Sequence, residues 1–350
     1  MADYTAIDNP ELYFQAKTYT GNGTAIGSGG LAVTLDGSEN MQPDFVWLKR
    51  RTDAGYHHNL FDSVRGATQL VYANLAEAAG TKTEGVTSFN SDGFTVGNDG
   101  DCNASGKSHV AWCWKESATA GFDIISMTGT GSARTQSHNL SAVPKMVIVK
   151  CLNDGNKSWA VYHAGAASDA ETDVLALDAQ DALADDATYW NDTVGTSSVF
   201  TVGTANGVNK STKSYIAFVW APVQGFSKFG SYFGNSNSDG AFVHTGFSPS
   251  LVMVKCSSNA STDWLMVDNK RSRARSSAYN NFMLRANTTA VEENGTVGCD
   301  FLSNGFKWRD SENSANVSGR TYTYMAFAYS PFCNSNGVPN NGVASTGGRG

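Results

Sequence analysis

Pro43-Asp44-Phe45-Val46-Trp47-Leu48-Lys49 joins a proline, an apolar run and a lysine, and the chain carries this arrangement three times. The other copies are Pro144-Lys145-Met146-Val147-Ile148-Val149-Lys150 and Pro249-Ser250-Leu251-Val252-Met253-Val254-Lys255. Proline has no amide hydrogen, so it is tolerated at a strand entrance, where no ladder bond is lost. The apolar run behind it, rich in β-branched residues, predicts a central strand covered on both faces.

Other elements recur around these strands. Each is preceded by a strand ending in a glycine turn, at 14–23, 122–131 and 226–235, and followed by a second strand at 58–62, 159–163 and 264–268. Phe94, Phe200 and Phe306 mark a later strand at intervals of 106 residues. Each copy closes on an alternating run: Val110/Trp112/Trp114, Ile216/Phe218/Trp220 and Met325/Phe327/Tyr329 form a bulky face opposite a central alanine. Period-two alternation places these residues on one side of a strand. Seven or eight short strands per copy predict an all-β sandwich or jelly roll, repeated in tandem. The expected limits are a lead over 1–13, repeats over 14–118, 119–223 and 224–332, and a flexible Gly/Asn/Ser-rich tail over 333–350. Between 164 and 187 a single helical turn is the most that the pattern allows.

Composition fits this picture. With 36 glycines against 7 prolines and 39 aromatic residues, the chain favours strands joined by tight turns. Only 16% of residues are charged, so the surface rests on Ser, Thr, Asn and Gly. A net charge of −7 gives no overall attraction to nucleic acid. The start has no basic and apolar signal segment, and no apolar run reaches membrane-spanning length, so membrane insertion is not expected. The six cysteines form no CxxC pair and no zinc-ligand spacing, and are expected to be reduced thiols.

The repeat resembles an uncharacterised domain found in virion proteins of tailed phages, notably marine ones, with a concanavalin-like or laminin-G-like β-sandwich. The carrying motifs are Tyr19-Thr20-Gly21-Asn22-Gly23, the Pro43–Lys49 strand, Asp62-Ser63-Val64-Arg65-Gly66, Ser88-Phe89-Asn90-Ser91-Asp92-Gly93-Phe94 and Val110-Ala111-Trp112. The third repeat keeps Asp268, Arg271 and Ser303-Asn304-Gly305-Phe306, while the second has His163 in place of the aspartate. The resemblance covers about residues 9–332. It implies a non-enzymatic virion protein, assembled in the bacterial cytoplasm and displayed on the particle exterior. A tail-fibre or receptor-binding role is expected first, and head decoration second. It brings no catalytic residue and no cofactor. The expected partners are copies of the chain and other virion proteins, with a host-surface glycan as a further candidate. A free carbohydrate-binding module or glycan-degrading enzyme is the alternative of a different class.

Candidate binding residues lie in the loops. Asp169, Glu171 and Asp173 in the second repeat face the opposite charge of Lys270, Arg271, Arg273 and Arg275 in the third. Such loops are either solvated or make contacts with subunits or an anionic partner. Trp190 and Trp308 break the repeat pattern and are candidates for stacking on sugar rings. Asp178, Asp181, Asp185 and Asp186 lack a glycine-centred ligand loop, so they predict an acidic surface and no metal. The His57-His58 pair has no ligand-type neighbour in sequence. The sequence has no Gly-x-Ser-x-Gly elbow, phosphate-cradling loop or HExxH. Glycosidase carboxylates need not be adjacent in sequence, which keeps that alternative open.

Overall fold

Each proline-led segment folds as the third strand of its repeat, and the same order of pairing recurs around it. The structure is a computed structural model describing residues 4–271 and 280–339, and it is nearly all antiparallel β. The first third contains β1 (Phe14–Thr20), β2 (Leu31–Thr34), β3 (Phe45–Arg50), β4 (His58–Asp62), β5 (Gln69–Tyr72), β6 (Gly80–Thr81), β7 (Val86–Asn90), β8 (Gly93–Val96) and β9 (Ser108–Trp114). The second has β10 (Phe122–Thr128), β11 (Arg134–Ser137), β12 (Met146–Cys151), β13 (Ala160–His163), β14 (Asp173–Ala176), β15 (Ala184–Asp185), β16 (Val199–Val202) and β17 (Ser214–Trp220). The last has β18 (Ser227–Phe233), β19 (Phe242–His244), β20 (Phe247–Cys256), β21 (Leu265–Asp268), β22 (Asn280–Arg285), β23 (Glu293–Leu302), β24 (Gly305–Trp308) and β25 (Thr321–Pro331).

The main sheets run β1-β9-β3-β4-β5-β6, β10-β17-β12-β13-β14-β15 and β18-β25-β20-β21-β22. In the third, the sheet continues through β23-β24-β19; in the first two, β2-β8-β7 and β11-β16 stand as separate small sheets. Beneath the small sheets lie two of the cores. Val46, Leu48, Ala111 and Cys113 pack with Phe94 and Val96, and Val147, Val149, Ala217 and Val219 pack with Phe200 and Val202. These are the slim faces of the central strands, and each third is therefore a sandwich.

The bulky faces go elsewhere. Phe45, Trp112 and Trp114 share one buried cluster with Phe122, Phe218 and Trp220 and with Phe226, Met325 and Phe327. Rings from different thirds touch directly: Phe45 stacks on Phe218 at 4.3 Å between centroids, Phe14 on Phe327 at 5.2 Å, and Trp114 meets Trp220 edge-on at 6.4 Å. The three main sheets thus bury their large side chains against one another.

Backbone hydrogen bonds show that this arrangement is cyclic. Ala79 N donates to Leu152 O at 2.8 Å, Leu183 N to Ser257 O at 2.8 Å, and Glu292 N to Arg51 O at 3.0 Å. In return Lys157 N donates to Ala76 O at 3.1 Å, Thr262 N to Gln180 O at 3.4 Å, and Gly55 N to Thr289 O at 3.0 Å. The same two bonds therefore join first to second, second to third, and third back to first. Indole rings reinforce two of the seams: Trp159 Nε1 donates to Tyr72 O and Trp264 Nε1 to Ala176 O, both at 2.8 Å. His58 takes that slot at the closing seam, where its backbone neighbour is the Arg285 carbonyl.

The terminal lysine of each motif has the same task three times. Lys49 Nζ donates to Tyr56 O at 2.9 Å, Lys150 Nζ to Lys157 O at 2.8 Å, and Lys255 Nζ to Thr262 O at 2.6 Å. Each reaches seven residues ahead and ties down the hairpin tip that carries the seam bonds. All three lysines are fully buried, and burial pushes each down to about 8. Desolvation is tolerated because a buried carbonyl left unpaired would itself cost about 1–3 kcal/mol. A second recurring device is a buried asparagine. Asn103, Asn209 and Asn316 accept at Oδ1 from Asn22 N, Thr130 N and Asn235 N at 2.7, 2.8 and 3.0 Å, fixing the glycine turns. Gly21, Gly129 and Gly234 lie there against backbone carbonyls so closely that a Cβ would sit 2.1–2.3 Å from oxygen.

One detail differs from the sequence alignment of the repeats. In β25 the partners of Leu251, Met253 and Lys255 are Phe327, Met325 and Thr323, whereas Phe45, Trp47 and Lys49 pair with Trp114, Trp112 and Val110. The equivalent of Trp114 is therefore Phe327, and Tyr329 lies two residues beyond it, at the register shift between Ser248 and Pro249. The alternation gives the bulky side but sits two residues out of step, because β20 and β25 extend beyond the equivalent strands and pair on to Phe247 and Pro331 through two register shifts. The expected helical turn between 164 and 187 is a 3-10 turn at Ala170–Thr172. All six thiols are free. Of the tail, Ser335 donates its N and Oγ to Asp8 at 2.7 and 2.6 Å, joining the two chain ends, and residues 340–350 lie outside the described residues.

A shared core predicts shared unfolding. Trp114→Ala is expected to destabilise the chain by about 3–5 kcal/mol and to lower the midpoint of one cooperative transition. Tryptophan fluorescence and far-UV circular dichroism should then coincide through that transition. Separate transitions for separate thirds would contradict the continuity of the core.

Candidate functional site at the closing seam

The three seams are equivalent in backbone but not in side chains. Where Leu152 and Ala79 meet at the first seam, and Ser257 and Leu183 at the second, Arg51 and Glu292 meet at the third. Leu152, Ala79 and Leu183 pack against the shared core. Arg51 and Glu292 instead form a two-bond ion pair, Nε to Oε2 at 2.8 Å and Nη2 to Oε1 at 2.7 Å. At this position the repetition is broken by an ion pair.

Behind the pair lies Arg271. Its Nε donates to Asp268 Oδ2 at 2.6 Å, its Nη2 to Met266 O at 2.7 Å, and its Nη1 reaches Glu292 Oε2 at 3.2 Å. The guanidinium also sits 5.3 Å from the ring centre of Trp112, whose Nε1 donates to Asp268 Oδ2 at 2.9 Å. Arg271 and Asp268 are fully buried. In the first third, Asp62 and Arg65 make the same local pair, with Arg65 Nε 2.5 Å from Asp62 Oδ2. In the second, His163 takes over: its Nδ1 accepts from Gly165 N at 3.0 Å and its Nε2 pairs with Tyr324 O at 2.9 Å.

In front of the pair, among the described residues, a cleft of about 690 Å³ opens between the first and third thirds. Thr18 of β1, Ser108 of β9 and the tip residues Thr52 and Asp53 form one wall; Lys270, Phe282, Val291 and Asn294 form the other. Lys270 Nζ donates to Asp36 Oδ1 at 3.0 Å, and Lys17 lies 3.2 Å from the other oxygen of that carboxylate. Burial opposes ionisation of Asp36, but Lys270 and then Lys17 hold its carboxyl below the usual range. Asp53 pairs with Arg50 and, at 3.0 Å, with Lys107. Thr52 Oγ1 is buried without a hydrogen-bond partner among the described residues.

The residues singled out from sequence fall in different places. Arg271 is an internal strut and not a surface charge. Arg273 and Arg275 lie outside the described residues. Asp169, Glu171 and Asp173 cluster on the second third: burial raises the Asp173 carboxyl, and Asp169, Asp185 and Glu171 add to the shift. Trp190 and Trp308 are 2% and 1% exposed, so neither offers a ring face to a sugar. Trp190 packs on Tyr162 and donates Nε1 to Asp173 O at 2.9 Å, and Trp308 meets Phe306 edge-on. Trp190 belongs to the core beneath the β11-β16 sheet, and Trp308 to the buried cluster shared by the three thirds. Asp178 accepts from Trp159 N at 3.0 Å, and Asp186 from Thr188 N at 3.0 Å, so both act in local backbone geometry. His57 stacks near Tyr72 and pairs with Asn74 at 2.9 Å. Sequence inspection passed over Arg51, Glu292 and Thr52. The available signal was that Arg51 and Glu292 stand where the other copies carry apolar or small residues.

Two outcomes follow from this seam. Glu292→Leu alone should cost about 2–4 kcal/mol, since it leaves Arg51 without its partner and removes a contact of buried Arg271. The double variant Arg51→Leu/Glu292→Leu imitates the apolar seam and should recover a large part of that loss, the missing Glu292 contact of Arg271 being what still separates it from the parent. Urea titration of the three proteins tests both.

The buried histidines set the response to acid. Burial holds His58 well below the ordinary imidazole value; it lowers His109 to about 4 against a smaller pull from the Lys107 carbonyl, and His163 to about 4. Between about pH 4 and 6.5 the unfolded chain binds more protons at these sites, so their contribution to stability falls as the pH is lowered. Glu116, pushed up to about 7 by burial and Asp123, works in the opposite sense, as do Asp173, Asp178 and Asp310, whose carboxyls burial raises. The urea midpoint is therefore expected to be lower at pH 5 than at pH 7. The difference should shrink in His109→Tyr, which installs the residue found at the equivalent Tyr215 and Tyr322.

No curated protein matches the chain. A family model described as a domain of unknown function (DUF7483) matches residues 9–331, from the lead to the end of β25. The chain belongs to the DUF7483 family of domains of unknown function, whose extent coincides with the three sheets and the seams that close them.

Proposed function

We propose that this protein is a non-enzymatic structural component of a bacteriophage particle, carried on the exterior and acting in host attachment as a tail-fibre or receptor-binding element. The observation carrying this reading is the closure of three sandwiches around one core. A chain closed in this way is a rigid body whose apolar and many of whose charged side chains hold its own seams. What remains outside is a Ser-, Thr-, Asn- and Gly-rich surface suited to repeated display. The strongly shifted lysines and His163 are engaged by backbone groups, which fits a structural role. The motif resemblance to virion repeats supports the particle assignment.

The cyclic order of the seams favours head decoration as a second reading. Three equivalent faces around an axis match a threefold position on a shell, where each face would meet the same neighbour.

Imaging of intact particles with a specific antibody, together with adsorption assays, tests both. Label on the tail, and purified protein that blocks adsorption to host cells, are expected for the attachment role. Label over the head with no block of adsorption would establish decoration in its place. Absence from purified particles would overturn both, and turnover of a bacterial polysaccharide would replace them with an enzymatic role.

A further inference from the structure

We propose that the cleft at the closing seam is a binding site for an acidic saccharide, a sugar chain whose residues carry both hydroxyls and carboxylates. Its volume, about 690 Å³, is in the range of ligand sites. Its lining is polar and apolar in nearly equal parts, more polar than in most such sites. Thr18, Ser108 and Asn294 bring hydroxyl and amide groups, and Phe282 and Val291 bring apolar surface. That mixture matches a polyhydroxylated ring, which has polar edges and a smaller apolar face.

The charge balance selects the acidic class. Among the residues that line the cleft, Arg51, Lys270 and Arg271 outnumber Asp53 and Glu292, a local excess of positive charge in a chain whose net charge is −7. Donors remain on the cations that line it. Arg51 uses Nε and Nη2 on Glu292, and Nη1 takes no part in that pair. Lys270 has three hydrogens and one carboxylate partner. Thr52 lines the wall with its Oγ1 turned inward and without a partner among the described residues, so rotation of the side chain toward the cleft would let a ligand hydroxyl pair with it.

The seam comparison gives an independent reason. Two seams are closed by packing of Leu152, Ala79 and Leu183. An ion pair between partly buried charges offers little or no stability over such packing. An ion pair in the position that Leu152 with Ala79 and Ser257 with Leu183 take at the other seams, beside a cleft, is therefore better explained by what it contacts outside the fold than by closure itself.

This inference deepens the attachment reading by naming a ligand class, but it can be tested apart from it. Calorimetric titration of the full chain would use tetragalacturonate, an oligomannuronate and a hyaluronan octasaccharide, with maltotetraose as the neutral control. At least one uronate should bind, and more weakly as salt rises. Lys270→Gln and Thr52→Val, outside the core, should each weaken binding, and the pair together at least tenfold. Arg51→Leu/Glu292→Leu, retaining a closed seam, should abolish binding while leaving the thermal transition in place. Equal binding of maltotetraose would overturn the acidic class. Failure of every uronate to bind, or unchanged affinity in the cleft variants, would overturn the site. Uronate binding by a protein absent from phage particles would leave the cleft assignment standing and remove the virion role.

Discussion

Three sheets, each with one bulky face, can satisfy those faces only by turning them toward one another. This constraint governs the molecule. A sheet bearing Trp112 and Trp114 on one side and Ala111 and Cys113 on the other has one face too large for the thin cover of a two- or three-stranded sheet. The slim face takes that cover, and the large face goes to the common centre. Aromatic pairs such as Phe45 with Phe218 and Trp114 with Trp220 fix the distance between sheets, because each ring fills space that no single third encloses.

Closure then has to be made specific, since apolar contact alone does not fix the relative positions of sheets. Polar groups supply the register. The lysine at the end of each central strand holds its hairpin tip, and the tip offers and accepts the two backbone bonds of the seam. A charged group without its carbonyls would be costly in such a place. Lysine suits it because a long apolar stem can cross the packed layer before the ammonium meets the tip. The buried asparagines do the same for the opposite turn. Glycine is needed there, as at Gly21, because the chain passes within touching distance of another carbonyl.

The seam between the last third and the first is built from the same parts but ends in charge. Arg271 and Asp268 are buried with Trp112 as a neighbour, and Arg51 and Glu292 stand at the edge of open space. Ionic closure of this kind contributes less than apolar packing when both are available. Its presence at one seam of three separates the parts of the protein that hold it together from the part that faces outward.

The repeat, the strand identities, the all-β class and the alternation of bulky and slim faces are set by local pattern, and the sequence alone determines them. The pairing of β3 with β4 and β9 is likewise implicit in the order of apolar runs. The destination of the bulky faces was not legible, because periodicity says which residues share a side but not what that side meets. For the same reason Trp190 and Trp308 looked free, and Arg271 looked like a loop charge. Their burial depends on neighbours far away in sequence, such as Trp112 beside Arg271. Arg51 and Glu292 are separated by 241 residues and become partners only when the ring closes. Composition and spacing act along the chain, whereas a seam and a cleft are made by the folded chain returning to its own beginning.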